Sequence, residues 1–319
     1  MLKKTLFPLI LSALTVSIIP LSADNFIFDL GGVLIDTDSI ASLQCIGFKN
    51  IIQCIYQLKK SPGSINGHLK AKFFEILNNV ALINQLTLND NNSCAYDESG
   101  NQLPYLMIAW LNGTMACNTI KSLIFNAIKQ NPEWFECSAE KNAIENIITM
   151  VFTPEHFVAT RKVYRDGMLF IKSCKKKGHK IYALSNWDKE SFTLLQNKFP
   201  SLFKLFDGII ISGECNNIKP SPDIYTLLIN RYNLETEKCW FIDDQKENVA
   251  AACALGIRGI LCTHHYWPLK KPNFHLITQE INNQHYKSVT RREKRKNKGI
   301  IPSTTKNINN PIIVGEKIS

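Results

Sequence analysis

The chain of 319 residues carries chemically active side chains shortly after several apolar runs. These side chains are Asp29, Ser185, Asn186, Lys219, Asp243 and Asp244. A carboxylate can attack phosphorus as a nucleophile, and paired carboxylates offer the oxygen ligands that Mg²⁺ prefers. A serine hydroxyl and a lysine ammonium can bind phosphate oxygens and stabilise the charge that develops during transfer. The set therefore indicates metal-assisted phosphoryl transfer.

Each group has a distinct expected role in such a transfer. Asp29 is the candidate nucleophile, and Ser185 would donate a hydrogen bond to a non-bridging phosphate oxygen. Lys219 would supply positive charge to both the nucleophile and the phosphate. Asp243 and Asp244 would hold Mg²⁺, which offsets the repulsion between a carboxylate and an anionic phosphate.

The elements that must position these groups alternate between strand and helix. Five apolar runs are expected as buried strands: Asn25–Asp29, Lys180–Leu184, Gly208–Ser212, Cys239–Ile242 and Gly259–Cys262. Helical patterns between them cover Phe157–Lys177, Ser191–Lys198, Pro222–Tyr232 and Glu247–Leu255. This alternation predicts an α/β fold with a doubly wound, Rossmann-like parallel sheet and helices on both faces. Because the carboxyl ends of parallel strands meet at one edge, the polar groups are expected to share a pocket there.

A long helical segment interrupts the alternation after the first strand. Its apolar helical stretches are Ile40–Leu58, Lys70–Leu82, Tyr105–Leu111, Thr119–Ile128 and Ala139–Val151, with asparagine-rich punctuation over Asn89–Asn92. We expect an α/β core formed by residues 24–37 and 160–272, with residues 38–159 inserted as a helical cap domain. Residues 273–319 are expected to form a basic, disordered tail after one weak helical stretch.

Four ordered motifs, F-D-L-G-G-V-L, A-L-S-N-W, I-K-P-S-P-D-I-Y and F-I-D-D-Q-K-E-N-V-A-A-A, resemble those of the haloacid dehalogenase-like hydrolase superfamily. The helical segment after the first motif resembles the C1-type cap of that family. The resemblance implies a hydrolase in which Asp29 is the nucleophile and Lys219 balances charge. The implied Mg²⁺ ligands are Asp29, the backbone carbonyl of Gly31, Asp243 and Asp244. The expected phosphate-binding residues are Ser185, Asn186, Gly31 and Gly32.

Gly31 departs from the pattern of family phosphatases, which usually carry a second aspartate two residues after the nucleophile. That aspartate protonates the leaving oxygen and later activates water, and such help contributes about 10²–10⁴-fold in rate. Its absence predicts slower hydrolysis with phosphate binding retained. Asp36 and Asp38 lie nearby in the sequence, and replacement by either is an open alternative.

The favoured hypothesis is a Mg²⁺-dependent phosphohydrolase for a small phosphorylated metabolite, acting through an aspartyl-phosphate at Asp29. A weakly active or inert phosphate-binding protein is one alternative, which Gly31 supports. A dehalogenase-like hydrolase is another, because family dehalogenases also lack the second aspartate. They do not need doubled metal-binding acids, however, and the pair Asp243-Asp244 favours a metal site.

Several other residues are expected to have structural roles. Trp187 is expected to pack in the core rather than at the pocket mouth, and Asn248 to fix its local loop and helix. His264 and His265 have no acidic or thiol partners at clear ligand spacing, which favours a surface loop. The ten cysteines include no C-x-x-C pair and are expected as buried thiols.

The N-terminal segment has the layout of a cleaved secretory signal. Lys3 and Lys4 precede an apolar stretch over Leu6–Leu21, and Leu21-Ser22-Ala23 resembles a signal-peptidase site. We expect removal of residues 1–23 and export to the periplasm or the medium, with no stable membrane span after cleavage. A cytoplasmic protein, or one anchored by an uncleaved N-terminal segment, is the alternative.

The formal charge of +10 is concentrated near the ends of the chain. Residues 287–319 contain nine lysines and arginines against two glutamates, so the central body is nearly neutral. The distribution argues against a nucleic-acid partner and favours a solvated tail. The expected partner is a small phosphorylated molecule.

Overall fold

A computed structural model describes residues 23–87, 94–97, 99–265, 271–283 and 312–314 of the chain. Nearly all of the expected signal segment, much of the expected basic tail and the punctuation at 89–92 lie outside these residues. Within the described ranges, no helix has both the length and the apolar character that a membrane crossing requires.

A six-stranded parallel sheet forms the centre of the fold. Its strands are β1 (Asn25–Phe28), β4 (Lys180–Ser185), β5 (Gly208–Ile211), β6 (Cys239–Asp243), β7 (Arg258–Cys262) and β10 (Ile312–Val314). Their spatial order is β10-β7-β6-β1-β4-β5, which places β1 between β4 and β6. Phe28 pairs with Ala183 on one side and with Ile242 on the other. The residues at the ends of these three strands therefore emerge side by side at the carboxyl edge.

Helices cover both faces of the sheet, because successive strand residues point to opposite sides. They are α8 (Arg165–Lys176), α9 (Lys189–Lys198), α10 (Pro200–Phe203), α11 (Ser212–Cys215), α12 (Pro222–Tyr232) and α13 (Lys246–Ala254). Phe26, Phe28 and Trp240 are buried in the apolar cluster on one face. Ile27 and Phe241 are buried in the cluster on the other. The predicted doubly wound α/β core is thus confirmed.

Residues 39–159, here called the helical insert, have an apolar core of their own. The helices are α1 (Ser39–Ile46), α2 (Phe48–Gln57), α3 (Ile65–Ile83), α4 (Tyr105–Leu111), α5 (Cys117–Gln130), α6 (Ser138–Val151) and α7 (Pro154–Ala159). Ile76, Ile124 and Ile144 lie in the cluster that joins them. The single helix predicted over Ile40–Leu58 is two helices, because Gly47 adopts a φ of 91° and redirects the chain.

The predicted helix over Phe157–Lys177 is wrong, because a strand divides it. After α7 the chain forms β3 (Arg161–Val163) before α8 begins at Arg165. β3 pairs antiparallel with β2 (Ile35–Thr37), and the two strands form a ribbon between the helical insert and the sheet. The hydrogen bonds between β2 and β3 satisfy backbone N–H and C=O groups of both segments. These bonds outweigh the preference for helix that the spacing of the apolar side chains indicates.

The first part of the expected tail contains the weak helical stretch that the sequence predicts, and this stretch packs on the core. Residues 274–283 form a helix, and Phe274, Ile277 and Ile281 on it are buried in a core cluster. Their spacings of three and four residues follow the helical period. Farther along, the described residues Ile312–Val314 add an edge strand to the sheet.

Candidate active site

Three carboxylates and one ammonium meet at the carboxyl edge of the sheet. Asp29, Asp243 and Asp244 each place a carboxylate oxygen within 4.8 Å of the others. The Nζ atom of Lys219 is 3.0 Å from Asp29 Oδ1 and 2.6 Å from Asp243 Oδ2. The side chains of Lys219 and Asp243 are 1% and 0% exposed, so the two charges are balanced by each other rather than by water.

Neighbouring strands explain why these groups converge. Asp29 follows β1 directly, and Asp243 ends β6, which pairs with β1. Lys219 comes from the loop before α12, and Asn186 holds the backbone of that loop. Asn186 Oδ1 accepts from Lys219 N at 2.8 Å, and its Nδ2 donates to Lys219 O at 3.0 Å. The Asn186 side chain therefore positions the lysine, and the expected role of this residue in binding phosphate stays a prediction.

Asp243 is held by residues at the start of α13. The Nδ2 atom of Asn248 is 3.1 Å from each carboxylate oxygen of Asp243, and Gln245 N donates to Oδ1 at 2.8 Å. Tyr225 Oη in turn donates to the Asn248 carbonyl at 2.9 Å. Asn248 thus fixes the loop and the helix, in agreement with the prediction for this residue.

The site is short of positive charge. Burial raises the pKa of Asp29 to about 6, and Asp243 adds to the rise while Lys219 and the Ser185 hydroxyl oppose it. Burial alone would lower the pKa of Lys219, but Asp243 and Asp29 outweigh it and keep that pKa above its ordinary value. The lysine therefore stays protonated and faces more carboxylates than it can neutralise. An anionic phosphate would be repelled here unless a further cation were bound.

The two glycines after Asp29 differ in the space around them. Gly32 has a φ of 72°, and a Cβ at this position would overlap the carboxylate of Asp244. Glycine is therefore required where Asp244 crosses the loop. Gly31 has no left-handed φ, and a Cβ there would meet its nearest neighbour, a ring carbon of Trp187, at 3.9 Å. Position 31 can accommodate a side chain.

The remaining expected phosphate ligands are Ser185, Gly31 and Gly32, and their surroundings differ. Ser185 ends β4, is 1% exposed, and places its hydroxyl beside the Asp29 carboxylate. Gly32 lines the cavity, and its amide donates to the Ile35 carbonyl at 2.9 Å within the turn, so its expected role in binding phosphate stays a prediction. Gly31 lines the same cavity as Asp29 and Ser185.

That cavity has a volume of about 510 Å³ and extends from the carboxylates to the helical insert. An aromatic wall lines it: the Phe157 ring centroid is 5.1 Å from that of Trp110 and 5.7 Å from that of Trp187. Trp187, at 5% exposure, therefore both packs in the core and borders the cavity, although the sequence favoured core packing alone. The volume suits a small organic molecule.

His264 also lines the cavity, so its expected place in a surface loop is wrong. It lies in β8 (His264–His265), which pairs antiparallel with β9 (Lys271–Pro272). Its Nε2 is 2.6 Å from the Gly32 carbonyl oxygen, to which it must donate. The side chain of His265 lies outside the described part. His264 follows β7 by two residues, so the strand-end argument used for Asp29 and Asp243 would have found it.

Arg161 and Tyr164 are lining residues that sequence reasoning missed, because both fell inside the wrongly predicted helix. Among the described residues, the buried side-chain atoms without a hydrogen-bond partner are Arg161 Nε, Tyr164 Oη and Asn248 Oδ1. Burial and the Asp36 carboxylate raise the pKa of Tyr164 far above its usual value, so its hydroxyl keeps its proton. Arg161 also donates to the Thr37 hydroxyl. The ribbon thus brings two proton-bearing groups to the cavity.

The two aspartates suggested as replacements for the missing acid have different surroundings. Asp38 caps α1, with its Oδ1 accepting from Ile40 N at 3.0 Å and from Ala41 N at 3.2 Å. Asp36 lines the cavity and is 3.4 Å from Lys162 Nζ. Asp38 is therefore committed to its helix, and Asp36 is the better placed of the two.

The carboxylates and the ammonium lie at the carboxyl edge of a doubly wound sheet, next to the central strand, which is where open α/β sheets bind their ligands. The family model described as haloacid dehalogenase-like hydrolase matches residues 23–256. The chain belongs to this family of hydrolases.

Curated relatives match only part of the chain. The phosphorylated carbohydrates phosphatase of Thermotoga maritima is 33% identical over 96 residues, 30% of this chain and 43% of that protein. The sesquiterpene phosphatase astK of Aspergillus oryzae is 29% identical over 93 residues, 29% of this chain and 47% of that protein. The chain thus spans less than half the length of either relative.

Among solved structures, a family enzyme from Bacteroides thetaiotaomicron, in complex with magnesium and inorganic phosphate, is 15% identical to this chain. The match covers 77% of this chain and 97% of that one, with a TM-score of 0.48.

Proposed function

We propose that the chain is a Mg²⁺-dependent phosphohydrolase that acts on a small phosphorylated metabolite. The main support is the cluster of the Asp29, Asp243 and Asp244 carboxylates, in which the buried Lys219 ammonium contacts Asp29 and Asp243. Displacing a halide from carbon does not require three clustered carboxylates. Binding a phosphate next to these carboxylates, by contrast, requires a further cation. The phosphatase names of the Thermotoga maritima and Aspergillus oryzae relatives support this choice.

The residues present fit a magnesium ion. Asp29, Asp243 and Asp244 offer hard oxygen ligands close to one another, and the Gly31 carbonyl is the expected fourth protein ligand. Gly32 leaves open the space that the Asp244 carboxylate occupies. When bound, the ion would neutralise phosphate oxygens and the surplus carboxylate charge.

Asp29 is the proposed nucleophile. Its Oδ1 accepts from Leu30 N at 2.8 Å and lies 3.0 Å from Lys219 Nζ, and these contacts fix the orientation of the carboxylate. Attack on phosphorus forms an aspartyl-phosphate and breaks the bond to the leaving oxygen. Water then attacks the phosphorus, which releases inorganic phosphate and restores the Asp29 carboxylate. Ser185 donates to a non-bridging phosphate oxygen through both steps.

Gly31 leaves the leaving oxygen without a protonating carboxyl group on this loop. The leaving group must therefore depart as an anion, or take its proton from water or from another group that lines the cavity. Aryl and acyl phosphates form the more stable anions, so we propose that they react faster than alkyl phosphates.

The same glycine supports a second candidate, a phosphate-binding protein with little or no turnover. A screen of aryl, acyl and alkyl phosphates and 2-haloacids, with and without Mg²⁺, separates the candidates. We expect Mg²⁺-dependent phosphate release that Asp29→Asn abolishes. Halide release without metal would establish the dehalogenase alternative, and phosphate binding without any turnover would establish the inert one.

Metal binding has its own test. Asp243→Asn and Asp244→Asn are each expected to weaken Mg²⁺ binding, since each removes a charged ligand. Calorimetry measures the affinity, and circular dichroism checks that each variant is folded. Asp223→Asn, an exposed acid in the first turn of α12, is the matched control and should bind as wild type does. Unchanged Mg²⁺ affinity in both site variants would contradict the ligand assignment.

We propose further that residues 38–159 act as a C1-type cap over the cavity and that the protein is exported after loss of residues 1–23. Trp110, Leu111 and Phe157 of the helical insert line the cavity, which supports a role in substrate selection. The export proposal stands on the N-terminal sequence alone, and cell fractionation of the native host tests it.

A further inference from the structure

The second helix of the helical insert exposes a row of large apolar side chains. Phe48, Ile52 and Tyr56 of α2 are 58%, 62% and 84% exposed. Spacings of four residues align them along one side of the helix over about 12 Å. A different side of α2 packs inward through Ile51 and Cys54. Helix α2 is thus apolar on two sides, and the described residues cover one of them.

The chain around this row is positively charged throughout. Residues 39–74 contain five lysines and neither aspartate nor glutamate. Lys49 on α2 and Lys59 and Lys60 just after it are exposed. None of the three forms an ion pair with any described residue. The row is therefore flanked by ammonium groups that lack a described counterion.

Acids on the neighbouring helix do not cancel this charge. Helix α6, against which α2 packs, contributes Glu140 and Glu145. Glu140 lies 2.7 Å from His68, and Glu145 lies 3.9 Å from Lys141. Each glutamate thus has its own partner, and the exposed side of α2 combines apolar surface with positive charge.

We propose that α2 is an interfacial helix that binds the surface of an anionic phospholipid membrane. The row of Phe48, Ile52 and Tyr56 would enter the boundary between headgroups and acyl chains, as apolar and aromatic side chains do at membrane interfaces. Lys49, Lys59 and Lys60 would lie against the lipid phosphates.

Other occupants fit this surface less well. A second copy in a twofold dimer would bring the same three lysines of each copy together, and like charges repel. A nucleic acid would match the lysines but leave the apolar row in water. An anionic lipid surface is complementary to both features.

Sedimentation of the full chain with vesicles tests the proposal. We expect binding to vesicles of equimolar phosphatidylcholine and phosphatidylglycerol, weaker binding in high salt, and little binding to phosphatidylcholine alone. The triple variant Phe48→Ser, Ile52→Ser, Tyr56→Ser should bind at least about tenfold more weakly. The triple variant Lys49→Gln, Lys59→Gln, Lys60→Gln should lose about fivefold for each lysine.

Matched variants on α8 of the core and at its C-terminal end provide the controls. The first control is the triple variant Lys172→Gln, Lys176→Gln, Lys177→Gln, which removes the same charge from exposed positions. The second is Leu169→Ser, which removes an apolar side chain that is 54% exposed. Both controls should bind as wild type does. Every variant keeps the apolar residues 6–21 and the basic residues after 286, so these contribute equally throughout.

Hydrogen exchange locates the contact. With mixed vesicles, the amides of residues 48–57 should exchange more slowly, while those of α8 remain unchanged. The proposal is overturned if the row variant binds vesicles as tightly as wild type, or if α2 gains no protection. It is equally overturned if wild type forms a dimer without lipid that the row variant abolishes, because the occupant is then a second copy.

Discussion

Two adjacent glycines in the loop after β1 meet different physical demands. Gly32 must be glycine, because its φ is 72° and a Cβ would overlap the Asp244 carboxylate. Gly31 has an ordinary φ and an open side, with Trp187 as the nearest neighbour at 3.9 Å. The backbone therefore does not explain why an acid–base side chain is missing at position 31.

Restoring a carboxyl group at this position should raise activity on poor leaving groups. Gly31→Asp is expected to increase the turnover of alkyl phosphates about tenfold or more, because the leaving alkoxide then receives a proton. Aryl phosphates should gain much less, since their leaving groups need no proton. Steady-state kinetics on both substrate classes measures the difference.

A second glycine substitution controls for the added charge. Gly63 is exposed with no other atom near its potential Cβ, so Gly63→Asp adds the same group away from the site. It should leave both rates unchanged. If Gly31→Asp folds and gains nothing on alkyl phosphates, another group supplies the proton, and Asp36 is the first to substitute.

At the scale of elements, the helical insert meets the core through a close backbone contact. Gly113, after α4, has a φ of 78°, and a Cβ there would lie 2.5 Å from the carbonyl oxygen of Gly213 on α11. Ser212 Oγ lies 2.5 Å from the Leu111 carbonyl oxygen beside this contact. Glycine is thus required for α4 to approach the edge of the sheet.

Gly113→Ala should therefore destabilise the protein by about 2–4 kcal/mol, from backbone strain and from the forced separation of the two loops. Urea unfolding measures the free energy. Gly178→Ala is the matched control, since Gly178 has a φ of 85° but no atom within 4 Å of a Cβ. It should cost about 1 kcal/mol. Equal losses in the two variants would show that the contact with Gly213 contributes nothing.

Elements with local signals were predictable from the sequence, and elements made by distant contacts were not. Helix α12 was predicted with its observed bounds, Pro222–Tyr232, because proline marks its start and the apolar period is regular. The strand-end rule likewise brought Asp29 and Asp243 together. The β2–β3 ribbon was missed because its pairing partners are over 100 residues apart, so no local pattern reveals it. For the same reason, Arg161 and Tyr164 were not predicted to line the cavity.

Asp207, just before β5, links that strand to its neighbours through its carboxylate. Burial raises the pKa of Asp207, but Lys175 at 2.8 Å, the Ile181 amide at 2.8 Å and Lys180 at 3.2 Å outweigh it and lower the pKa below 3.8. The folded state thus favours the ionised form. Its contribution to stability is present above pH 3.8 and is lost as the pH falls through the lowered value.

Asp207→Asn should cost about 1 kcal/mol of unfolding free energy at pH 7, because it removes the charge from three hydrogen bonds. The deficit should hold between pH 7 and about pH 5 and shrink below pH 3.8. Urea titrations across this range measure it. Asp166→Asn, an exposed acid on α8, should show little deficit. If the loss of unfolding free energy in Asp207→Asn does not change with pH, the charge of the carboxylate is not its cause.

At the scale of the whole molecule, Asp24 ties the start of the central strand across the sheet. Its Oδ2 accepts from Trp240 Nε1 on β6 at 2.9 Å, and its Oδ1 is 3.1 Å from Arg258 on β7. Its backbone N donates to His179 Nδ1 at 3.1 Å, and its carbonyl accepts from Lys180 N at 3.3 Å. Asp24 is 5% exposed, whereas Ala23 before it is exposed. Within the described part of the chain, the expected cleavage site therefore falls directly before the first buried residue.

Cleavage after Ala23 should leave the fold intact, because an α-ammonium on Asp24 can still donate to His179. A chain that begins at Asp24 is expected to match the unfolding free energy of the full chain. One that begins at Asn25 should lose about 2 kcal/mol, since Trp240 and Arg258 then lose their buried acceptor. Urea unfolding of the three chains tests this, and N-terminal sequencing of protein from the native host tests the cleavage itself. Sequencing should read from Asp24, and an intact Met1 on the soluble protein would contradict export by cleavage.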